Sequence, residues 1–205
     1  MRHLLKSLAF FTVAGISSLL ARETLLEVKG AFYYPTSGEF RDIYSTGGMF
    51  GAEASIQTWR QLYTWTSGSF FIKEGRSIGL KNQTRIAFYP LGVGIKYLFP
   101  VSWADFYLGG GPLAVYMHIH DHSPGVVQKT CRWGGGGIVK GGVIMTPFNR
   151  RFFFDFFTDY SFLYVPVEKH HGLYRHRADL SGWSIGLGIG CKLGNLNKKT
   201  KNQVK

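Results

Sequence analysis

The stretch RRFFFDFFTDYSFLY, from Arg150 to Tyr164, sets two aspartates in a run of phenylalanines. An isolated carboxylate is costly to bury, so Asp155 and Asp159 each need a charged partner, water or a catalytic role. Their spacing places both side chains on one face of a helix and equally on one face of a strand. The remainder of the sequence therefore has to decide between the two.

The composition favours β-structure in a single domain. The chain has 205 residues, of which 16% are aromatic and 18% are charged, and it contains 27 glycines. Disordered chains are poor in aromatic residues and rich in charge, which excludes that class. Aromatic and glycine-rich chains are typical of sheets rather than of helices.

The N-terminus has the pattern of a secretory signal peptide over residues 1–21. Arg2 and Lys6 precede a short apolar run that ends at Ala21. This run is too short to span a membrane as a helix, and no later stretch reaches the roughly 20 apolar residues that such a helix needs. We therefore expect an exported protein with one domain at 22–194 and a basic polar tail at 195–205.

The net charge of +12 does not indicate a nucleic-acid partner. Two of the positive charges lie in the signal peptide and four in the tail, which leaves +6 scattered over residues 22–194. Export and the absence of a basic stripe argue against nucleic acid. Anionic lipid head groups and lipopolysaccharide phosphates are better partners for such a surface.

Alternation of apolar and polar side chains predicts eight strands. The clearest case is GWSIGLGIGCKL at 182–193, where every second residue from Trp183 to Leu193 is large and apolar, and glycine, serine or lysine lies between. Strict period two over this length predicts a strand. Most of the predicted strands have about ten residues, the length that a tilted strand needs to cross a bilayer.

The connections between these strands alternate between long and short. The long ones lie at 35–46, 74–84, 120–136 and 165–179, and the short ones at 59–61, 100–104 and 147–150. Outer-membrane barrels have short turns on the periplasmic side and long loops outside. A spanning sheet must also close, because lipid cannot satisfy a free edge. The sequence thus predicts an all-β fold, a closed antiparallel up-and-down eight-stranded transmembrane barrel.

Three stretches resemble the small eight-stranded outer-membrane barrels of Gram-negative bacteria, the group that includes the OmpA transmembrane domain, OmpX and OmpW. They are FYLGGGP at 106–112, RFFFDFFTDYSF at 151–162 and WSIGLGIGCKL at 183–193. The resemblance implies an integral outer-membrane protein with a structural or surface-binding role, without enzymatic activity or cofactor. Its partners would be outer-membrane lipids, lipopolysaccharide, the barrel-assembly machinery and an extracellular ligand. Such proteins usually end on an aromatic residue, whereas this chain continues past Leu193 into its tail.

In this barrel the two aspartates face the lumen and the neighbouring phenylalanines face lipid. An eight-stranded barrel is just wide enough to be filled by side chains. We therefore expect a salt-bridged lumen rather than a wide pore, formed by Glu27, Lys29, Glu53, Arg85, Lys96, Lys140, Asp155 and Asp159.

Two rival functions remain open at this point. Some small outer-membrane barrels modify lipid A as acyltransferases or deacylases, which requires a serine, a histidine base and an orienting group. Asp121, His122 and Ser123 supply these groups, but neighbours on a chain do not easily converge as a triad. The other rival is a soluble periplasmic carrier of the lipocalin type.

The motif HIHDH at 118–122 is a candidate metal site at the outer end of the barrel. His118, His120 and His122 alternate onto one face, and imidazoles in this arrangement bind zinc, copper or nickel. Polar residues at a barrel mouth are common, so we expect no bound metal. Cys131 and Cys191 would lie at opposite ends of the barrel, too far apart for a disulfide.

Overall fold

The computed structural model of the chain describes residues 22–76, 83–121, 129–147, 151–168 and 175–194. Within these residues lie nine strands and one helix. The strands are β1 (Thr24–Pro35), β2 (Gly47–Trp59), β3 (Leu62–Arg76), β4 (Gln83–Pro100), β5 (Ala104–Asp121), β6 (Lys129–Met145), β7 (Phe152–Glu168), β8 (Arg175–Asp179) and β9 (Gly182–Leu193), and the helix is α1 (Gly38–Tyr44).

The strands close into an eight-stranded antiparallel barrel, as predicted. Each strand from β1 to β7 pairs with the next along the chain, and β9 pairs with both β7 and β1. The short strand β8 also pairs with β7, beyond the end of β9. Since β8 and β9 follow one another along the same edge of β7, they form together the eighth strand, interrupted at Leu180 and Ser181.

Side chains alternate between lipid-facing and lumen-facing positions, and β7 shows this most clearly. Phe154 and Phe156 are 41% and 47% exposed on the outside of the barrel. Asp155 is completely buried between them and Asp159 is 7% exposed. The strand interpretation of the stretch that contains both aspartates is therefore correct, and both carboxylates face the lumen.

The strands are longer than the predicted length of about ten residues. β4 and β5 each have 18 residues, and β3 has 15. Their outer ends extend into segments expected to be long loops, because ladder hydrogen bonds continue beyond the lipid-facing band. The short connections remain short, at 60–61, 101–103 and 146–151.

Aromatic side chains form two exposed girdles around the apolar band. Trp59 and Trp103 lie near the short connections and are 67% and 65% exposed. At the other end of the barrel, the outer girdle contains Tyr34, Tyr89, Tyr116, Trp133, Tyr164 and Trp183. Such girdles are typical of the two membrane–water interfaces.

The first long connection contains the helix α1, which was predicted as loop. Ser37 caps it by accepting a hydrogen bond from the backbone N–H of Phe40. Phe40 and Tyr44 are buried in the mouth of the barrel, where Phe40 packs against Phe71 and Phe88. Among the described residues, no helix has the length and apolar character that crossing a membrane would require. The helix α1 instead covers the outer end of the lumen.

Candidate functional site: the charged lumen

Glu53 on β2 is the centre of a buried ionic layer that crosses the lumen. Its carboxylate accepts a hydrogen bond from Lys96 on β4 at 2.8 Å and another from Lys140 on β6. Lys29 on β1 lies 3.4 Å away from it. Three ammonium groups from three strands thus converge on one fully buried carboxylate.

Lys29 extends this layer towards β7. Its Nζ lies 3.3 Å from Glu27 Oε1 and 3.2 Å from Asp155 Oδ2, in addition to its contact with Glu53. Asp159 lies 3.8 Å from Lys140. The layer therefore connects β1, β2, β4, β6 and β7 across the lumen, and its side chains are at most 10% exposed.

Aromatic side chains on β3, β5 and β7 add further contacts to the layer. Tyr107 on β5 donates a hydrogen bond to Asp155 at 3.0 Å. Lys140 lies 4.3 Å from the ring centroid of Trp65 on β3, and Lys29 lies 4.4 Å from that of Phe157. A cation over a desolvated aromatic face gains about 2 kcal/mol. Tyr107 and Trp65 were not predicted as site residues, although both occupy inward-facing positions of their strands.

Two apolar clusters seal the ionic layer from above and below. The outer cluster contains Tyr33, Phe40, Phe71, Phe88, Met117 and Leu163 together with their buried neighbours. The inner cluster contains Leu25, Tyr63, Leu98, Ile144, Phe153 and Phe157. An ion that crossed the lumen would therefore have to pass apolar side chains on both sides of the charged layer. Conduction through the barrel is unfavourable for this reason.

A cavity of about 70 Å³ remains between the ionic layer and the outer cluster. Its polar walls come from Lys29, Lys140 and Asp159, with serines on several strands, and Leu113 and Leu163 form its apolar side. Pockets that hold small-molecule ligands usually measure about 300–1,000 Å³. This cavity is too small for a carrier's ligand.

The structure brings together every residue predicted for the lumen network except Arg85. That residue is exposed on the outside of the barrel, so its placement in the lumen was wrong. On β4 the inward positions are even-numbered, as for Lys96 and Phe88, and this parity continues through Pro90 although its ladder bonds are interrupted. Arg85 and Lys96 have opposite parity, and one regular strand cannot turn both inward.

Two histidines of the candidate metal site, His118 and His120, face outward rather than into the barrel mouth. His118 lies opposite Cys131, and His120 lies opposite Lys129. His122 and Ser123 lie outside the described residues, so the candidate catalytic serine and its neighbouring base do too. In the part of the chain that the structure describes, no group of three or more metal-ligating side chains is assembled.

The two cysteines are free and lie near opposite ends of the barrel. Cys131 is exposed at the outer end of β6, two residues from Trp133 of the outer girdle. Cys191 pairs in register with Leu26 and Phe152, close to the short connections. The separation that was predicted between them is therefore present.

Comparisons with known proteins support this architecture. No family model matches the sequence, and the search of curated proteins finds no related sequence. Solved structures do match: the outer membrane protein W of E. coli, at 14% identity and a TM-score of 0.56, covers 84% of this chain and 98% of its own. Ail of Yersinia pestis, at 12% identity and a TM-score of 0.55, covers 84% and 99%. Neisserial surface protein A, at 13% identity and a TM-score of 0.53, covers 84% and 97%.

These identities are low, and they establish the fold alone. The matched proteins share the closed antiparallel barrel, with its eight strands in up-and-down order. The resemblance expected from the strand pattern is confirmed: this chain folds as the small eight-stranded outer-membrane barrels do.

Proposed function

We propose that this protein is an integral outer-membrane barrel with a sealed lumen, which acts through its outer surface as a structural or ligand-binding protein. The observation that carries this proposal is the ionic layer around Glu53, enclosed between two apolar clusters. A lumen filled in this way stiffens the barrel and leaves no aqueous path. The function must then lie at the lipid-facing band and the outer end.

The lipid-facing band supports membrane insertion. Val28, Ile185, Leu187 and Ile189 lie next to one another on β1 and β9 and are 57–65% exposed. Monomeric soluble proteins rarely expose so large a continuous apolar surface. Together with the two aromatic girdles, this band argues against the soluble carrier. The proposal also includes export by the signal peptide at 1–21 and insertion by the barrel-assembly machinery. The signal peptide and the tail at 195–205 lie outside the described residues.

The outer end carries charges that suit an anionic partner. Its described basic residues include Arg41, Arg76, Arg85, Lys129, Arg132 and Arg177, and its acidic ones include Glu39, Asp42, Glu74 and Asp179. Ail, which shares the fold, was crystallised with a heparin analogue, sucrose octasulfate. We propose lipopolysaccharide or a polyanionic surface ligand as the partner of this end.

Reconstitution into planar bilayers tests the sealed lumen. We expect no conductance above the background of the protein-free bilayer. The same preparation should show heat-modifiable gel mobility, which proves that the barrel is folded. Steady single-channel currents from folded protein would contradict the proposal, and so would recovery of the protein in the aqueous phase after detergent partitioning.

A further inference from the structure

Three basic side chains lie side by side on the outside of the barrel, on the strands β4, β5 and β6. Arg85 is directly opposite His120, and His120 is directly opposite Lys129. They are termed here the basic row. Each has the outward parity of its strand; Arg85 and Lys129 are exposed, and His120 is half-buried.

The basic row lies above a parallel row of aromatic residues from the outer girdle. Tyr89, Tyr116 and Trp133 are opposite one another on the same three strands, with ring centroids 6.4 Å and 5.1 Å apart. Every member of the basic row is four residues further out than its aromatic counterpart. At about 3.3 Å per residue and a strand tilt of about 40°, the two rows differ by about 10 Å in height.

This height corresponds to the head groups of the outer leaflet. Aromatic girdles lie at the membrane–water interface, so a row about 10 Å further out lies beyond the hydrocarbon, among phosphate groups and sugars. The basic row therefore contacts the layer in which lipid phosphates are concentrated.

One acidic side chain of the described residues flanks the basic row. Glu74 on β3 faces Arg85 from the other side. Arg85 and Lys129 are two strands apart, about 10 Å at the usual spacing between strands. Their long side chains can both reach a phosphate that lies between them. Guanidinium matches two phosphate oxygens at once, and the lysine ammonium supplies a compact charge.

We propose that Arg85, His120 and Lys129 form a binding site for a phosphate group on the head group of an outer-leaflet lipid. The inference deepens the proposed function and rests on it, because only a membrane-embedded barrel presents the basic row to lipid phosphates. It also gives a role to Arg85, which does not belong to the lumen network.

The test compares lipids retained by the protein in nanodiscs made from equal parts of phosphatidylcholine, phosphatidylglycerol and phosphatidic acid. After extraction into detergent, native mass spectrometry counts the lipids bound to each barrel. Wild-type protein should retain phosphatidic acid, a phosphomonoester, over the diester phosphatidylglycerol. The double variant Arg85→Gln/Lys129→Gln should retain about tenfold less phosphatidic acid than the wild type, because it loses two charge-assisted hydrogen bonds to the phosphate.

The matched control is Arg60→Gln/Arg151→Gln, which removes the same charge from exposed positions at the short connections, at the opposite end of the barrel. It should retain phosphatidic acid as the wild type does. Equal loss in both double variants, or no loss in either, would overturn the proposal. Displacement of the lipid by equimolar inorganic phosphate would show a site for free phosphate and would also overturn it. Failure of the folded protein to enter nanodiscs would overturn the proposed function itself, whereas entry without a preference for phosphatidic acid would overturn the lipid site alone.

Discussion

Lys140 on β6 donates a hydrogen bond to Glu53 on β2, from the opposite wall of the barrel. Three strands lie between the two residues in either direction around the ring, so this contact spans the whole lumen. Lys96 adds a second bond to the same carboxylate at 2.8 Å. The barrel is thus held across its diameter as well as by the hydrogen bonds around its wall.

Replacing Glu53 with glutamine should destabilise the barrel by about 3–5 kcal/mol, because removal of one partner leaves buried lysines without enough negative charge. The measurement is the free energy of unfolding in guanidinium, followed by tryptophan fluorescence in lipid vesicles. Glu39→Gln on the exposed face of α1 is the control and should change stability by less than about 0.5 kcal/mol. Equal stability of the two variants would show that the ionic layer does not stabilise the fold.

A lysine in place of Phe156 should impair insertion, because this side chain lies in the middle of the lipid-facing band of β7. Lysine on the lipid face costs about 2–4 kcal/mol at the bilayer midplane and about 0–1 kcal/mol near an interface. Phe162→Lys, beside the outer girdle, should therefore be mild. Folding yield into vesicles of defined thickness compares the two. If both lysines were tolerated equally, neither phenylalanine would face the hydrocarbon.

Phe40→Ala should release α1 from the barrel mouth without opening the lumen. Phe40 contributes the contacts that hold the helix against Phe71 and Phe88, whereas the ionic layer lies deeper in the barrel. Trypsin cleavage at Arg41 should become faster, and planar-bilayer conductance should stay at background. Asp42→Ala, which is exposed, is the control for the cleavage rate. Conductance in the Phe40 variant would show that the helix alone closes the barrel.

Cys131 and Cys191 should remain unbridged under oxidising conditions, because they lie near opposite ends of the barrel. Gel mobility without reductant should match mobility with it. On intact cells, a membrane-impermeant maleimide should label Cys131, and Cys131→Ser should abolish labelling. A residual signal in that variant would place Cys191 outside and reverse the orientation of the barrel.

The strand pattern was readable in the sequence because one face of every strand meets lipid and the other meets packed side chains. Phe154, Asp155 and Phe156 show this even over three residues. The error at Arg85 has a simple cause. Near the outer end of β4 both faces of the strand tolerate charge, so the residue type alone does not show whether a side chain faces lipid or lumen. Lys96 is even-numbered and Arg85 is odd-numbered, so the alternation of the strand would have placed them on opposite faces.

The helix α1 and the aromatic part of the lumen were harder to predict. Seven residues give too short a pattern for helical periodicity, and only Ser37 marks the start of the helix. Tyr107 and Trp65 enter the ionic layer through contacts between strands that are distant in the ring. Such contacts depend on the register of the whole barrel, which no single strand determines.

The central claim is that side chains of β7 alternate between lipid and a closed lumen. Single cysteines placed at 152–154, 156–158 and 160–163, in a Cys131→Ser/Cys191→Ser background, test it while leaving both aspartates intact. A lipid-soluble maleimide should modify the even-numbered thiols in the folded barrel and the odd-numbered ones only after unfolding. Reactivity that repeats every three to four residues, or that is uniform along the segment, would contradict the account.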